Sequence, residues 1–449
     1  MQGSGKPSVS LSPAQGTASA KSRISGQFRF PAGRLAALGL LSFISLLLIG
    51  GAYLAWPNFQ DEFRFWRAER AARARDFPEA RQLVMANLAH RADSARDRFL
   101  LARVDRQSGA FDDASEQLDY CQEIEGASAR VRLERALLQV QQGSVTHEAE
   151  AQLADYLQQG HPDTDYILEA LSLGCLTNYR FASAVTYLTR WIDRQPDLAQ
   201  ARIWRSLAYE RLVEYALARD DARQALALSP DKFETRLRLA QTLLLATEYE
   251  ETAPLFAQLY QEHENDPVVA MGYAQAEEKL GHSEEAAAIL DRLVARFPTE
   301  TAVLLERGRL ALQMNQGALA EGWLRSAARL APANYETQYA LLQSLRLQGK
   351  TQEALAAQAA VDRLSAAGVR LHDLNEQLKQ RPYDIAIRCD IARLYQEQGS
   401  DKDALEWLQS AIRMDRAYPL ANRLLAEYYE RSGQTALAEP YRKFANSER

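Results

Sequence analysis

A repeat with a period of about 34 residues governs what this chain can fold into. The stretch Thr301 to Asn334, TAVLLERGRLALQMNQGALAEGWLRSAARLAPAN, holds two short amphipathic segments separated by Asn315-Gln316-Gly317 and closed by Pro332. Moving the frame by one period in either direction meets the same pattern. Units start at Asp61, Ala95, Ala129, Asp165, Ala199, Phe233, Pro267, Thr301, Tyr335, Ile385 and Pro419, with a spacing of 34 except 36 after Ala129 and 50 after Tyr335. Sustained self-similarity at this period predicts a solenoid, in which each unit buries its apolar face only by stacking on its neighbours.

Two positions in the frame carry the geometry. The twentieth is Ala in nine of eleven units, among them Ala114, Ala218 and Ala320. The eighth is small in ten of eleven, from Ala68 to Ala426, with Leu342 the exception. Two antiparallel helices approach closely only where the side chains at their crossing are small. Glycines such as Gly109, Gly143, Gly281, Gly349 and Gly399 fall where a tight helix–helix connection needs backbone freedom, and Pro196, Pro230, Pro298 and Pro332 end second helices.

Departures from the frame are few. Pro254 and Pro440 fall inside second helices, where a lost hydrogen bond predicts a kink. The segment Ser365 to Asp384 enlarges the Tyr335 unit by nearly half a period. The stripe of Leu371, Leu374 and Leu378 predicts an added helix over about 368–382, ended at Pro382.

Before the array, residues 1–33 are rich in Gly, Ser, Ala and Gln and read as a disordered basic tail. Residues 34–56 follow as a candidate transmembrane helix. From Leu35 to Trp56 no charged residue occurs, a run of about 33 Å as a helix, enough to cross a bilayer. Arg34 suits one interface, and Tyr53 and Trp56 the other. A cleaved signal peptide is the competing reading. Its apolar core is normally shorter, and Ala52-Tyr53-Leu54-Ala55 has the wrong spacing for a small-x-small site. The basic tail favours a cytoplasmic N-terminus, with the rest on the periplasmic or exoplasmic side of an inner (plasma) membrane. Arg64, Arg67, Arg70, Arg73 and Arg75 just beyond the run weigh against that orientation.

Charge bears on partners. The net charge of −6 conceals five basic and no acidic groups in residues 1–60, leaving 48 basic against 59 acidic residues in the remainder. An acidic body lacks the cationic face that nucleic-acid binding needs, so no nucleic-acid partner is expected. The three cysteines, Cys121, Cys175 and Cys389, are too few and too scattered for a disulfide framework or a paired-cysteine metal site, and read as small buried thiols. The six histidines never recur at ligand spacing; His147-Glu148 begins an H-E-x-x-H that Ala151 fails to complete. With no phosphate loop or nucleophile elbow either, neither an enzyme nor a cofactor or metal site is expected.

Taken together, these residues resemble the tetratricopeptide repeat family, whose helix–turn–helix unit has the same period and small residues at positions 8 and 20. The resemblance implies an all-α, right-handed α-solenoid of about eleven helix pairs over 57–449, preceded by the one transmembrane helix. It also implies a concave wall lined by positions 2, 5, 6, 9, 12 and 13 of the first helices. Those positions place Trp204, Arg211, Arg238, Gln241, Gln275, Arg309, Tyr339, Gln343 and Arg346 on the wall as candidate partner-binding residues. Arginines and aromatics there suit an extended or acidic segment of a protein partner. The alternative is that the arginines only solvate the groove and Trp204 packs between units. The chaperone-binding subgroup of the family has Asn at positions 6 and 9, which this chain lacks throughout.

The expected function is a membrane-anchored scaffold that mediates protein–protein interactions, assembling an envelope, secretion or biogenesis complex. A cytoplasm-facing adaptor for a signalling or regulatory partner is the alternative, and an enzyme acting on carbohydrate or peptide a more distant one.

Overall fold

The computed structural model describes residues 59–445; the basic stretch 1–33 and the apolar run 34–56 lie outside the described residues. Among the described residues the chain forms 22 helices and no strand, and no helix there is long and apolar enough to cross a membrane. The chain divides into two compact units, Met1–Asn87 and Leu88–Arg449.

In the first unit, helix α1 (59–73) pairs with α2 (Phe77–Leu88). Ala68 and Ala80 are fully buried, an Arg67–Glu79 ion pair of 2.6 Å joins the helices, and Asn87 Nδ2 donates to the Asp61 carbonyl at 2.9 Å.

The second unit is a run of helix pairs. They are α3 (Ala95–Ser108) with α4 (Phe111–Glu125), α5 (Ala129–Gln141) with α6 (His147–Gln158), α7 (Thr164–Thr177) with α8 (Phe181–Arg194), and α9 (Ala199–Arg211) with α10 (Tyr215–Leu228). Next come α11 (Phe233–Leu245) with α12 (Tyr249–Glu262), α13 (Pro267–Lys279) with α14 (Ser283–Arg296), and α15 (Thr301–Gln313) with α16 (Gly317–Leu330). The series ends with α17 (Tyr335–Leu347) and α18 (Thr351–Gln380), α19 (Ile385–Gln398) and α20 (Asp401–Met414), and α21 (Pro419–Arg431) and α22 (Thr435–Ala445). From α3 on, each helix packs on its neighbour in sequence except α5, which packs on α7 and not on α6, and first helices also touch the next first helix, as α11 touches α13 and α13 touches α15. First helices therefore touch in three runs, α3 to α7, α9 to α17 and α19 to α21.

Close packing within a pair depends on the small residues. Ala102, Ala114 and Ala320 have no exposed surface. A Cβ added to Gly308 would sit 2.6 Å from Leu324 Cγ in the same pair, and one on Gly272 of α13 would sit 2.2 Å from the Phe256 ring of α12 in the pair before. Helix starts are fixed by side-chain caps: Ser94, Ser128, Asp266, Asn334 and Asp384 each accept from a backbone N–H in the first turn. Both α12 and α22 continue through Pro254 and Pro440 as single helices.

A recurring clamp ties one pair to the next. The fourth residue of a first helix reaches back to a carbonyl in the preceding connection. Arg98 donates to Ala92 O (2.8 Å), Arg202 to Pro196 O (3.2 Å), Gln338 to Pro332 O (3.2 Å), Arg388 to Pro382 O (2.9 Å) and Asn422 to Arg416 O (2.9 Å). Carbonyls just past a helix end have no partner within the helix, and a long donor from the next helix supplies one.

The expected added helix over 368–382 does not exist as a separate element. It is the second half of α18, which runs unbroken for 30 residues. No proline lies between Thr351 and Gln380, and one mid-helix glycine, Gly368, is too weak a breaker to stop it. Pro382 follows shortly after its end. At about 45 Å, α18 holds α19 away from the place the next pair would otherwise take. A cleft of about 590 Å³ opens there, floored by Leu364, Ala367, Gly368, Leu371 and Leu394 and rimmed by Tyr335, Asp401 and Asp403.

The array also meets itself. The connection between α7 and α8 docks on α19 and α20, which lie far along the chain from it. Tyr179 stacks on Trp407 with ring centroids 4.5 Å apart and planes 15° from parallel, and its hydroxyl donates to Glu406 at 3.2 Å. Ser410 Oγ donates to Asn178 Oδ1 at 2.9 Å, and Arg388 donates to Ser410 Oγ at 3.0 Å. On the other side of this seam, Arg180 lies over the Tyr383 ring at 4.6 Å, and both Arg180 and the Tyr383 hydroxyl bind Glu150.

Candidate binding surface on the first-helix layer

The nine wall residues do not share one fate. Position 9 of four consecutive first helices gives Gln241 on α11, Gln275 on α13, Arg309 on α15 and Gln343 on α17. Because those helices touch in series, the four side chains form a file, spaced by the roughly 8–10 Å between packed helices. Gln241 and Gln275 are half-buried, and Arg309 and Gln343 are exposed.

Around Arg309 the file deepens into a cleft of about 380 Å³, lined by Leu312, Gln313, Tyr335, Glu336, Tyr339, Ala340 and Gln343. Tyr335 and Tyr339 lie one helical turn apart and stack with centroids 5.9 Å apart and planes at 9°, offering a flat aromatic face beside the guanidinium. Glu306 sits beneath. Burial pushes its carboxyl above the usual carboxylate range, opposed by Arg309 and by a hydrogen bond from Gln275. The Arg309–Glu306 ion pair of 3.2 Å keeps the Arg309 side chain along the wall. Such a site has hydrogen-bonding amides, a cation and an aromatic face, which suits recognition and not bond-breaking.

Arg238 is a correction. It is 3% exposed, with Nε on Ser206 Oγ (2.8 Å), Nη2 on the Ser206 carbonyl (2.8 Å) and Nη1 on Glu210 (2.6 Å). Its guanidinium stitches α9 to α11 and has nothing left for a partner; burial pushes its pKa down against the pull of Glu210. Trp204 is half-buried and packs against Trp191 at 5.8 Å, in the core. Arg211 is exposed at the end of α9, three pairs before α15. Arg346 donates to Gln358 at 2.6 Å and lines a separate depression with Lys350 and Leu355. The structure thus gathers Gln275, Arg309, Tyr339 and Gln343, extends the file to Gln241, and leaves the other four apart.

Two features had no sequence signal. The α18 cleft arises from a helix running on past its expected end, and the seam from residues on distant parts of the chain. All three cysteines are buried, with burial pushing the Cys121 thiol up to about 11 and those of Cys175 and Cys389 to about 12. On the α13–α14 turn, one ligand atom each from Glu277, His282 and Glu285 falls within 4.8 Å of the others. Their contacts are met within the protein, by a His282–Glu277 hydrogen bond of 2.6 Å and a Tyr273–Glu285 one of 3.2 Å.

Three tetratricopeptide repeat family models match the chain, at residues 176–233, 243–310 and 364–444. These segments are similar to tetratricopeptide repeats. The middle match spans α13 and most of α15 with their position-9 residues, and the last spans the second half of α18 and the pairs beyond it. None of the matched families is catalytic. A search of curated proteins finds no match. Among solved structures, the repeats are similar to a tetratricopeptide repeat protein from Parabacteroides merdae, at 15% identity and a TM-score of 0.36, over 64% of this chain and 99% of that one. A human IFIT1 dimer with m7Gppp-AAAA is similar at 15% identity and a TM-score of 0.39, over 78% of this chain and 89% of that one. MamA from AMB-1 is similar at 22% identity and a TM-score of 0.26, over 40% of this chain and 96% of that one.

Proposed function

We propose that the repeats are a protein-interaction scaffold whose first-helix layer holds an extended segment of a partner. The observation that carries this is the file of Gln241, Gln275, Arg309 and Gln343 on four touching helices. An extended chain rises about 3.3 Å per residue, so successive file members fall about three partner residues apart. Side-chain amides can pair with the partner's backbone, while Arg309 beside Tyr335 and Tyr339 selects an acidic or carboxylate-bearing side chain. The apolar run 34–56 tethers this scaffold to a membrane, with the N-terminus cytoplasmic and the repeats on the exoplasmic face. Gathering proteins at that surface suits assembly of an envelope, secretion or biogenesis complex.

A photocrosslinking amino acid placed at Gln343 in the native membrane tests the reading. A discrete polypeptide should be captured there and not from Arg329, which is exposed on the second helix α16. Arg309→Glu should weaken capture by about tenfold. Equal capture from both positions would discard the wall as the binding surface. The tether is checked separately: exoplasmic repeats are digested by protease added to intact spheroplasts, whereas digestion only after lysis assigns them to the cytoplasm.

A further inference from the structure

The seam buries more positive charge than the protein neutralises. Arg388 has no exposed surface. Its donors meet only neutral acceptors, Pro382 O at 2.9 Å, Ser410 Oγ at 3.0 Å and Asn178 O at 3.4 Å, and its Nε has no partner. Elsewhere the same fourth position keeps an acid or stays near the surface: Arg236 pairs with Glu262 at 2.7 Å and Arg202 lies 3.8 Å from Asp221. Beside Arg388 stands Arg413, half-buried, its Nε also enclosed and without a partner. It lies so close over Gly143 that a Cβ there would be 2.7 Å from that Nε.

Nearby carboxylates form no ion pair with either arginine, although Glu406, bonded only to the neutral Tyr179 hydroxyl, and Asp384 pull on them from farther off. Glu150 takes Arg180, Tyr187 and Tyr383; Asp384 caps α19 and pairs with Arg381 at 3.1 Å; Glu406 accepts from Tyr179. A buried guanidinium without a counter-charge costs several kcal/mol. Burial, with Arg180 and Arg413 adding to it, pushes the Arg388 pKa down to about 10, and burial lowers that of Arg413 as well. Two adjoining guanidiniums, each with an enclosed Nε that has no partner and neither in an ion pair among the described residues, match a dianion with several acceptor oxygens. A single carboxylate would leave one cation unmet. Phosphate near neutral pH is such a dianion, and paired guanidiniums are its usual protein ligands.

We infer that the seam between the α7–α8 connection and α19–α20 is a binding site for a phosphate-class oxyanion, held between Arg388 and Arg413. The site shares no residue with the position-9 file and is independent of the proposed partner. Arg413, half-exposed, is the entrance, and Arg388 closes over the ligand as Asn178 and Tyr179 dock. Bound anion therefore fastens the seam.

Calorimetric titration of the full-length chain with inorganic phosphate, at ionic strength held constant with chloride, tests this. One saturable site is expected, weakened at least about tenfold in Arg413→Gln and unchanged in Arg329→Gln, an exposed cation on α16. Glycerol phosphate titrated in parallel tells whether a free or an esterified phosphate fits better. Arg413 is used because truncating fully buried Arg388 endangers folding; circular dichroism of the variant checks that it stays helical. Absence of saturable binding to the wild type, equal binding by helical Arg413→Gln, or equal competition by chloride would each overturn the assignment.

Discussion

Replacing the single carboxylate of Glu134 would take away the charge that Arg103 and Arg106 share, leaving Arg103 only Asp163 at 3.1 Å and Arg106 only Glu169 at 4.0 Å. Arg106 and Glu134 are both fully buried and joined at 2.6 Å, while Arg103 holds the second carboxylate oxygen at 2.9 Å and lies 4.0 Å from the centre of the Tyr166 ring. Breaking a buried pair from one side costs about 3–5 kcal/mol. Glu134→Gln should lose that much from the local stability of α3–α7, read as faster amide exchange there while α13–α17 is unaffected. Burial alone would push this carboxyl up, but Arg106 and Arg103 outweigh it and hold it below the ordinary range. A depressed carboxyl stabilises the fold above its unfolded pKa and loses that contribution as pH falls through the folded one. Acid titration should therefore destabilise α3–α7 in the wild type and change the variant less. Side-chain reach is also where the sequence was least legible. Position 6 names a face of the helix, but not that Arg238 would turn inward to the small Ser206 and to Glu210.

At the level of elements, the crossing residues set how closely two helices lie. Gly308→Ala brings a methyl group to 2.6 Å from Leu324 Cγ, and overpacking of this kind costs about 1–3 kcal/mol. Leu324→Val should recover part of it, so a double-mutant cycle of thermal midpoints should show coupling; additive losses would place the strain elsewhere. Such crossings made the helix pairs readable from sequence, because a fixed period repeats the same steric demand at Ala114, Ala218 and Ala320. The element read amiss was α18. Leu371, Leu374 and Leu378 do mark a helical face, yet a face does not say where its helix began. Without a breaker after Thr351, the preceding helix simply continued.

At the scale of the whole second unit, the seam changes what kind of array this is. An open solenoid has only neighbour contacts, so its units loosen nearly independently from the ends. Here contacts between Tyr179 and Trp407, and between Asn178 and Ser410, join pairs far apart in sequence. Tyr179 takes a left-handed backbone, φ 60°, as does Val213 at φ 64° in the α9–α10 connection of the next pair. Val213 is exposed and makes no such docking, so Val213→Gly should stabilise its turn by about 1 kcal/mol. Tyr179→Gly relieves the same backbone cost but removes the stack on Trp407. It should raise the radius of gyration measured by X-ray scattering and expose Trp407 to a fluorescence quencher; compact scattering with a protected Trp407 would show that the stack does not hold the seam.

Under tension, the closed turn should behave as a clasp. An open array of helix pairs lengthens smoothly when pulled, like a coil spring. A chain fastened across the long span from Asn178 to Ser410 cannot lengthen within that span until the fastening gives way. Pulled between the first-helix starts of α7 and α21, it should resist, release in one abrupt step, and only then stretch elastically. A protein spanning between a tether and a load would thereby carry a force threshold set by a handful of side chains.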